Sequence, residues 1–523
     1  MKKRSFIGGA FILAVAGILS KFIGFFFRVP LTNMIGAQGY GLYNYPYHLY
    51  SAILAISVTG LPVAISTLVS AKIAIHRYDE AHRVFKIALV IMLFLGVITS
   101  LALYLGSGFL VNTIWPQEAY YPLMGLVIAP FFVALMSVFR GYFQGMQIMT
   151  ASSISQVFES FGRLIFGLGL AYALLDRGIE YAAGGGSFGA TAGAFVGLIV
   201  IVLYYLKVKP QIKERIQRQV KSGEKESTLK IIKNVLYLSI PISIGALAGT
   251  LMPLIDSLML KLRLNVAGFS EEISTILFGR LGAATTLINF PLTIATAIAI
   301  SLVPAISEAY AKGLFSEIKE RLETGMKIGL YLIFPASMGL FILADPILDF
   351  IFPAIQNGGN LLRFLSIALI FMTLNQIFTA SIQGIGRPIV SVRNLFIGAG
   401  FKIVISYYLA ALPSINIYGA TIGTIVGYVI ASLLNYHYLK RQTHFVMDKI
   451  NLIFKPLLAS VVMGGMVYYT YLLIIGFTAR NSISLLSSIA LGGIIYGLLL
   501  FLFGVIHPKE MIVFITRKLK NKK

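Results

Sequence analysis

GATAGAFVG, residues Gly189 to Gly197, returns 230 residues later as GATIGTIVG, Gly419 to Gly427, with six of nine letters and all three glycines kept. Upstream the match continues. FQGMQIMTASSISQVFESFGRLIFG, from Phe143, lies against IQGIGRPIVSVRNLFIGAGFKIVIS, from Ile382, at an offset of 239 that pairs Gln144-Gly145 with Gln383-Gly384 and Arg163 with Lys402. The offset falls to 230 because the first copy carries a loop nine residues longer, LLDRGIEYAAGGGSF. Earlier still, LPVAIS at Leu61 echoes VPAIS at Val303. Three echoes in one order mark an internal duplication.

The medium of that duplicated unit follows from composition. The chain is 57% hydrophobic and 12% charged, with a mean hydropathy of +0.84, whereas soluble domains carry about 25% charged residues. Apolar runs such as Ile87 to Leu105 are continuous rather than alternating, which sets aside an outer-membrane barrel and suits helices of roughly 20 apolar residues. The expectation is an all-α polytopic membrane protein of fourteen transmembrane helices, over 6–29, 41–70, 84–110, 121–145, 150–175, 187–207, 232–260, 274–306, 324–345, 358–383, 390–411, 417–439, 453–476 and 483–506. The start, MKKRSFIGGAFILAVAGILSKF, reads as a retained first helix because its apolar stretch runs on without a small-residue cleavage site.

This gives an N-terminal lobe over 1–206, a basic linker over 207–231, a C-terminal lobe over 232–440, two further helices over 441–507 and a basic tail over 508–523. Each repeat holds six helices, an even number, so the two lobes are pseudo-symmetric about an axis along the membrane normal. Two matched lobes suit a transporter that rocks around a shared central cavity, and suit a channel or a membrane enzyme less well.

The net charge of +23 comes from 43 Lys and Arg against 20 Asp and Glu, and its placement matters more than its sum. KKR at the start, Arg77, Arg83, KVKPQIKERIQRQVKSGEKESTLKIIK, Lys319, Arg321, Arg387, Lys440, Arg441 and the tail RKLKNKK fall on one side. The opposite loops, NTIWPQEAYY, LPSINIYG and GFTARNS, are poor in basic residues. By the positive-inside rule both termini are cytoplasmic in a multi-pass cell-membrane protein. The basic charge is therefore an orientation signal, with some attraction to lipid headgroups, and not a nucleic-acid surface. With no cysteine and six scattered histidines, no metal site is expected. The sequence lacks GxxxxGK[ST], so no ATP hydrolysis, catalytic residue or bound cofactor is expected. Energy then comes from a Na+ or H+ gradient, the membrane potential or the substrate gradient.

An ionisable residue inside a span is costly and is by default a functional candidate. In the first predicted helix Gly17, Lys21, Gly24 and Arg28 share one face. In the fifth, Ser152, Gln156, Glu159, Arg163 and Gly167 share another, and its duplicate offers Ser391, Asn394, Gly398, Lys402 and Ser406. The eighth aligns Arg280, Thr286, Asn289, Thr293 and Thr296, the tenth Gln376, Thr379 and Gln383, and the second places His48 with Asn44 and Ser51. Blander readings stand beside these. Arg28 and Arg280 near the membrane surface would snorkel to headgroups, Glu159 and Arg163 would neutralise each other at a spacing of four, and His48 would be a structural histidine.

The sign of the inventory still points one way. Lys21, Arg28, Arg163, Arg280 and Lys402 face only Glu159 and Asp256 as interior acids. A cationic interior suits an anion, and guanidinium suits phosphate oxygens through paired hydrogen bonds. A substrate bearing phosphate or diphosphate is expected, with Lys21, Arg28, Arg163, Arg280, Lys402, Glu159, Asn289 and His48 as its candidate ligands. A path for organic cations would show the opposite balance.

SKFIGFFFRVPLTNMIGAQGYGLY from Ser20, GLPVAIS from Gly60 and FGRLGAATTLINFPLTIATAIAISLVPAISEAYAKG from Phe278 resemble the stage V sporulation protein B and MurJ-like lipid II flippases of the MOP exporter superfamily. The resemblance covers roughly residues 5 to 510. It implies a flippase carrying an undecaprenyl-diphosphate-linked cell-wall precursor, lipid II first, to the outer leaflet. It also implies that basic residues of the first and eighth helices hold the diphosphate, at positions matched here by Lys21, Arg28 and Arg280. The arginine that Gram-negative MurJ proteins carry in the second helix has no match in YPYHLYSA, from Tyr45, and its role is vacant or passes to His48 or Arg163. The last two helices would form a groove for the lipid tail, and the uncharged stretch from Pro456 to Ala479 suits it. Some members couple to sodium through carboxylates, for which Asp256 and Asn394 are the candidates. The expected partners are the lipid-linked substrate, membrane lipids and envelope-synthesis proteins, around a monomer. Three rivals remain: a flippase for another lipid-linked oligosaccharide, a MATE-type antiporter for cationic drugs, and a non-transporting scaffold for envelope synthesis.

Overall fold

The computed structural model describes residues 6–219 and 226–505. KKR at the start, the basic tail over 508–523 and the linker's centre, 220–225, lie outside the described residues. Among the described residues there is no strand. The helices of the first half are α1 (Phe6–Ser57), α2 (Gly60–Ala74), α3 (Tyr78–Phe109), α4 (Tyr120–Leu126), α5 (Ala129–Gly145), α6 (Met149–Leu174), α7 (Ile179–Arg218) and α8 (Thr228–Val266). The second half holds α9 (Glu271–Ala311), α10 (Phe315–Ile342), α11 (Ala344–Ile351), α12 (Gly359–Gly384), α13 (Pro388–Leu409), α14 (Tyr418–Thr443), α15 (Lys455–Thr478) and α16 (Asn481–Leu502).

Among the described residues, thirteen stretches are long and apolar enough to cross a membrane, and the first, Ile12–Ala74, has 63 residues. As one straight helix it would run about 95 Å, roughly three times the hydrocarbon core of a bilayer. It is not straight. Gly36 has φ 65° and ψ −171° in the middle of α1, a left-handed φ that only glycine adopts cheaply. Phe27 and Tyr43 lie on either side of it, about 24 Å apart along a continuous helix, yet their ring centroids are 6.3 Å apart. The chain therefore reverses at Gly36. Counting the two arms separately gives fourteen crossings, the number expected from the apolar runs.

The helices gather into two compact units, one of residues up to Gly282 with Tyr407–Ala420, the other of Ala283–Ser406 and the chain from Thr421 onward. The division falls inside α9 rather than in the basic linker, because α8 packs on α1 and α2 of the first unit. Asp256, placed by sequence in the second lobe, is thus a buried residue of the first unit. The core of the first unit joins Leu61 and Ile65 of α2, Phe85 and Met92 of α3, Phe143 of α5 and Ile201 of α7. In the second, Leu302 and Ile306 of α9 meet Leu322 and Met326 of α10 and Phe378 of α12.

The duplication is visible in the backbone. The turn from α5 to α6 is closed by Met146 N–H to Tyr142 O, Gln147 N–H to Gln144 O and Ile148 N–H to Phe143 O. The turn from α12 to α13 repeats these three bonds 239 residues on, at Ile385, Gly386 and Arg387, with positive φ at both Gln147 and Gly386. The earlier echo needs correcting. Gly145 lies against Val69 and Ser66, while its counterpart Gly384 lies against Ile306 and Val303. Structure thus pairs Ser66 with Val303, an offset of 237, about one helical turn from the register in which LPVAIS and VPAIS match as letters.

Candidate functional site

The repeated glycine phrase positions the charged face of α6. Along α7, a Cβ on Gly189 would stand 2.7 Å from Gly167 Cα, one on Gly193 2.5 Å from the Glu159 carbonyl oxygen and 2.9 Å from Arg163 N, and one on Gly197 3.0 Å from Glu159 Cβ. Small residues four apart let two helices approach backbone to backbone. Here the approach occurs at the turns that carry Glu159 and Arg163. The same stripe of α6 also borders the first arm of α1. Ser20 Oγ donates to Gln156 O at 3.4 Å, and Gly167 lies against the ring of Phe27. The polar stripes of the first and fifth predicted helices are therefore brought together.

Between these helices lies a cationic cluster built on tyrosines. Tyr40, Tyr43, Tyr47 and Tyr50, spaced three and four apart on the second arm of α1, share one face. Tyr40 stacks on Tyr43 at 5.8 Å and Tyr43 on Tyr47 at 5.2 Å. The Arg28 guanidinium lies 5.3 Å from the centroid of the Tyr47 ring, a cation–π distance. Arg163 Nη1 donates to Tyr47 Oη at 3.1 Å. Two arginines from two helices thus share one tyrosine. Arg163 Nε is buried and makes no hydrogen bond, an unusual state for a guanidinium in a protein interior.

The acid of the cluster has a different partner from the expected one. Arg163 Nη2 is 3.9 Å from Glu159 Oε1, at the limit of an ion pair. Arg140 of α5 is nearer, with Nη2 2.9 Å from Glu159 Oε2 and 2.9 Å from Ser155 Oγ. Ser155 is oriented in turn by donating to Gly197 O at 2.9 Å. Sequence reasoning missed Arg140, although it is the sole charge within Ala129–Gly145. It also missed the tyrosine ladder, which YGLYNYPYHLY displays at helical spacing.

The remaining candidates are distributed around this cluster or away from it. Lys21 is exposed, on the arm of α1 that carries Arg28, and a Cβ on the intervening Gly24 would meet nothing within 4 Å. His48 is half-buried, edge-on to Tyr47 and Phe278. Arg280 is half-buried at the start of α9, where Gly279 and Gly282 press on Ala37, Tyr40 and Asn44 of α1. Its Nε is likewise buried and makes no hydrogen bond. In the second unit Asn289 is half-buried. Lys402 differs from the expectation of a cation facing a cavity: it is completely buried, with Nζ donating to Thr424 Oγ1 at 2.8 Å. Asn394 belongs to a buried amide chain, its Nδ2 on Asn435 Oδ1 at 2.9 Å and Asn435 Nδ2 on Asn375 Oδ1 at 3.0 Å.

Residues 6–310, more than half the chain, match the sequence profile described as polysaccharide biosynthesis protein. The chain belongs to that family. Residues 269–408 also match the MatE profile. The lipid II flippase MurJ of Bacillus subtilis (strain 168) is 27% identical over 84% of this chain and 83% of its own length. Stage V sporulation protein B of the same organism is 28% identical over 83% of each. Among solved structures, a lipid II flippase MurJ in an inward closed conformation superposes with a TM-score of 0.65, at 14% identity, covering 94% of this chain and 98% of that one. The chain of this family described here is thus a multi-pass helical membrane protein with the MurJ and MATE type of fold.

Proposed function

We propose that the protein is a flippase that moves an undecaprenyl-diphosphate-linked cell-wall precursor, lipid II first among them, from the inner to the outer leaflet by alternating access, with both termini cytoplasmic. The observation that carries the reading is the Arg28–Tyr47–Arg163 cluster. Three guanidiniums, counting Arg140, stand against one carboxylate. Uncompensated positive charge in a membrane span is expensive, and the diphosphate that joins a lipid to its sugar carries the charge that would offset it. The unfilled Nε of Arg163 offers a donor for one of its oxygens, and Tyr47 fixes where both guanidiniums sit. Lys21, exposed two helical turns before Arg28, and Arg280 extend the cationic set. Coupling to Na+ or H+, with Asp256 or Asn394 as ligands, is an open part of the proposal. The likeness to MurJ and stage V sporulation protein B supports a lipid-linked substrate over a drug cation.

A MATE-type cation antiporter is the second reading, favoured by the MatE match over 269–408 and opposed by the sign of the cluster. Complementation separates the readings. The parent chain restores growth to cells depleted of their lipid II flippase, and Arg28→Ala and Arg280→Ala do not. Failure of the parent, correctly inserted, excludes lipid II. Drug resistance that survives Arg28→Ala favours the antiporter.

A further inference from the structure

Glu159 has two arginines within reach and is held by the one that has no cationic duplicate. Arg140 Nη2 lies 2.9 Å from its Oε2, whereas Arg163 Nη2 lies 3.9 Å from its Oε1. The hold on Arg140 is built: Ser155 Oγ accepts from Arg140 Nη2 and Nε at 2.9 and 3.3 Å, and Ser152 Oγ donates to the Arg140 carbonyl at 3.2 Å. Gly141, beside it, seats α5 directly on Pro62 of α2. Arg140 is thereby fixed from both sides, and Glu159 is drawn toward α5.

We propose that Arg140 is a positioning residue of the anion site, one that holds the Glu159 carboxylate off Arg163 and so keeps the Arg163 guanidinium available to a diphosphate. The inference rests on the reading of Arg28 and Arg163 as anion ligands. Its physics is simple. A half-buried carboxylate that loses its partner must find another, and Arg163, four residues along the same helix, is at the right spacing. The pair then neutralises the guanidinium that the substrate requires.

The test uses the purified full chain in detergent micelles, with farnesyl diphosphate as probe and farnesol as its uncharged control. Arg140→Gln is expected to weaken farnesyl diphosphate binding about tenfold without touching the probe, and Glu159→Gln to tighten it. The double variant should regain parental affinity, and Arg140→Lys most of it. A merely structural role for Arg140 predicts that the double variant stays as weak as Arg140→Gln, which would overturn the proposal.

A general field effect of the lost charge would order the affinities the same way, so a second measurement decides between them. The coupling of Glu159 with Arg163, from thermal unfolding of the Glu159→Gln and Arg163→Gln cycle, should be near zero in the parent and grow in the Arg140→Gln background. An unchanged coupling overturns the proposal. If the parent binds farnesyl diphosphate no better than farnesol, the anion-site reading fails, and the coupling measurement alone judges Arg140.

Discussion

Helix α6 and residues 388–406 of α13 carry the two copies of one sequence, and the turns leading into them are hydrogen-bonded alike. Both are packed closely by glycines, in registers one turn apart. Gly193 of α7 lies on Glu159 O and Arg163 N, whereas Gly423 of α14, its counterpart, lies on Ser406 Oγ and Lys402 O. The charges are not alike. Where the first copy has Arg140, Ser155, Glu159 and Arg163, the second has Thr379, Asn394, Gly398 and Lys402. Losing the carboxyl at Gly398 lets the Gly427 carbonyl close onto it, and the space taken by ion pairs in the first copy is taken by the Asn375–Asn435–Asn394 chain in the second. The cation that remains, Lys402, is sealed against Thr424. Glycines therefore set a shared backbone, and a few facing side chains decide whether it presents charge or buries it.

The comparison is most sharply broken by charge removal. Arg163→Ala should reduce transport of a lipid diphosphate by about a hundredfold, since losing a partner of a charged hydrogen bond in a desolvated site costs about 3 kcal/mol. Lys402→Met, which keeps the volume and removes the charge, should shift thermal stability and leave lipid-diphosphate transport within about threefold. Equal losses for the two variants in a reconstituted flipping assay would mean that both copies bind substrate.

The shared part of the comparison is tested at the glycines. Gly193→Ala puts a methyl against backbone atoms that cannot move aside, and Gly423→Ala in the second copy puts one against the Ser406 hydroxyl, with Lys402 O 3.1 Å away. Each should cost about 1–3 kcal/mol by overpacking, read as a fall in unfolding midpoint in detergent. Gly24→Ala, whose Cβ would meet nothing within 4 Å, is the control and should leave the midpoint unchanged. A stable Gly193→Ala protein would show that the close α6–α7 approach does not hold the site.

Much of this was legible in the chain before any coordinates, because hydropathy alone fixes where helices lie in a bilayer. Most helix ends differ by a few residues, but α7 runs Ile179–Arg218 where 187–207 is expected, so the first part of the expected linker is helical. A second departure, around 30–40, arises where Thr32, Asn33 and Gln38 lower the local hydropathy although Thr32 is fully buried. The faces of α1 and α6 were legible from spacing, but coverage of a face depends on the neighbouring helix. Nothing in the Lys402 stripe itself tells that Thr424 caps it. Arg140 is hidden for a related reason: it has no echo in the second copy, where position 379 is threonine. Tyr40, Tyr43, Tyr47 and Tyr50 carry no charge that marks them in the chain, and only the reversal at Gly36 brings Arg28 beside them.

That reversal makes Tyr47 the finest test of the contrast. Its ring receives Arg28 from one arm of α1, and its hydroxyl receives Arg163 from α6. Tyr47→Phe keeps the ring and the cation–π contact and removes only the acceptor. A hydrogen bond to a charged group contributes about 1.5–3 kcal/mol, and part of that returns when Arg163 finds a substrate oxygen instead. Affinity for a lipid diphosphate should therefore fall only about threefold, while Arg28→Ala, which loses a full charge, falls much further. Tyr47→Leu, which removes both interactions, should land between them. If Tyr47→Phe were as damaging as Arg28→Ala, the hydroxyl would be touching substrate directly, and the tyrosine, not the arginine pair, would define what the first copy presents and the second copy lacks.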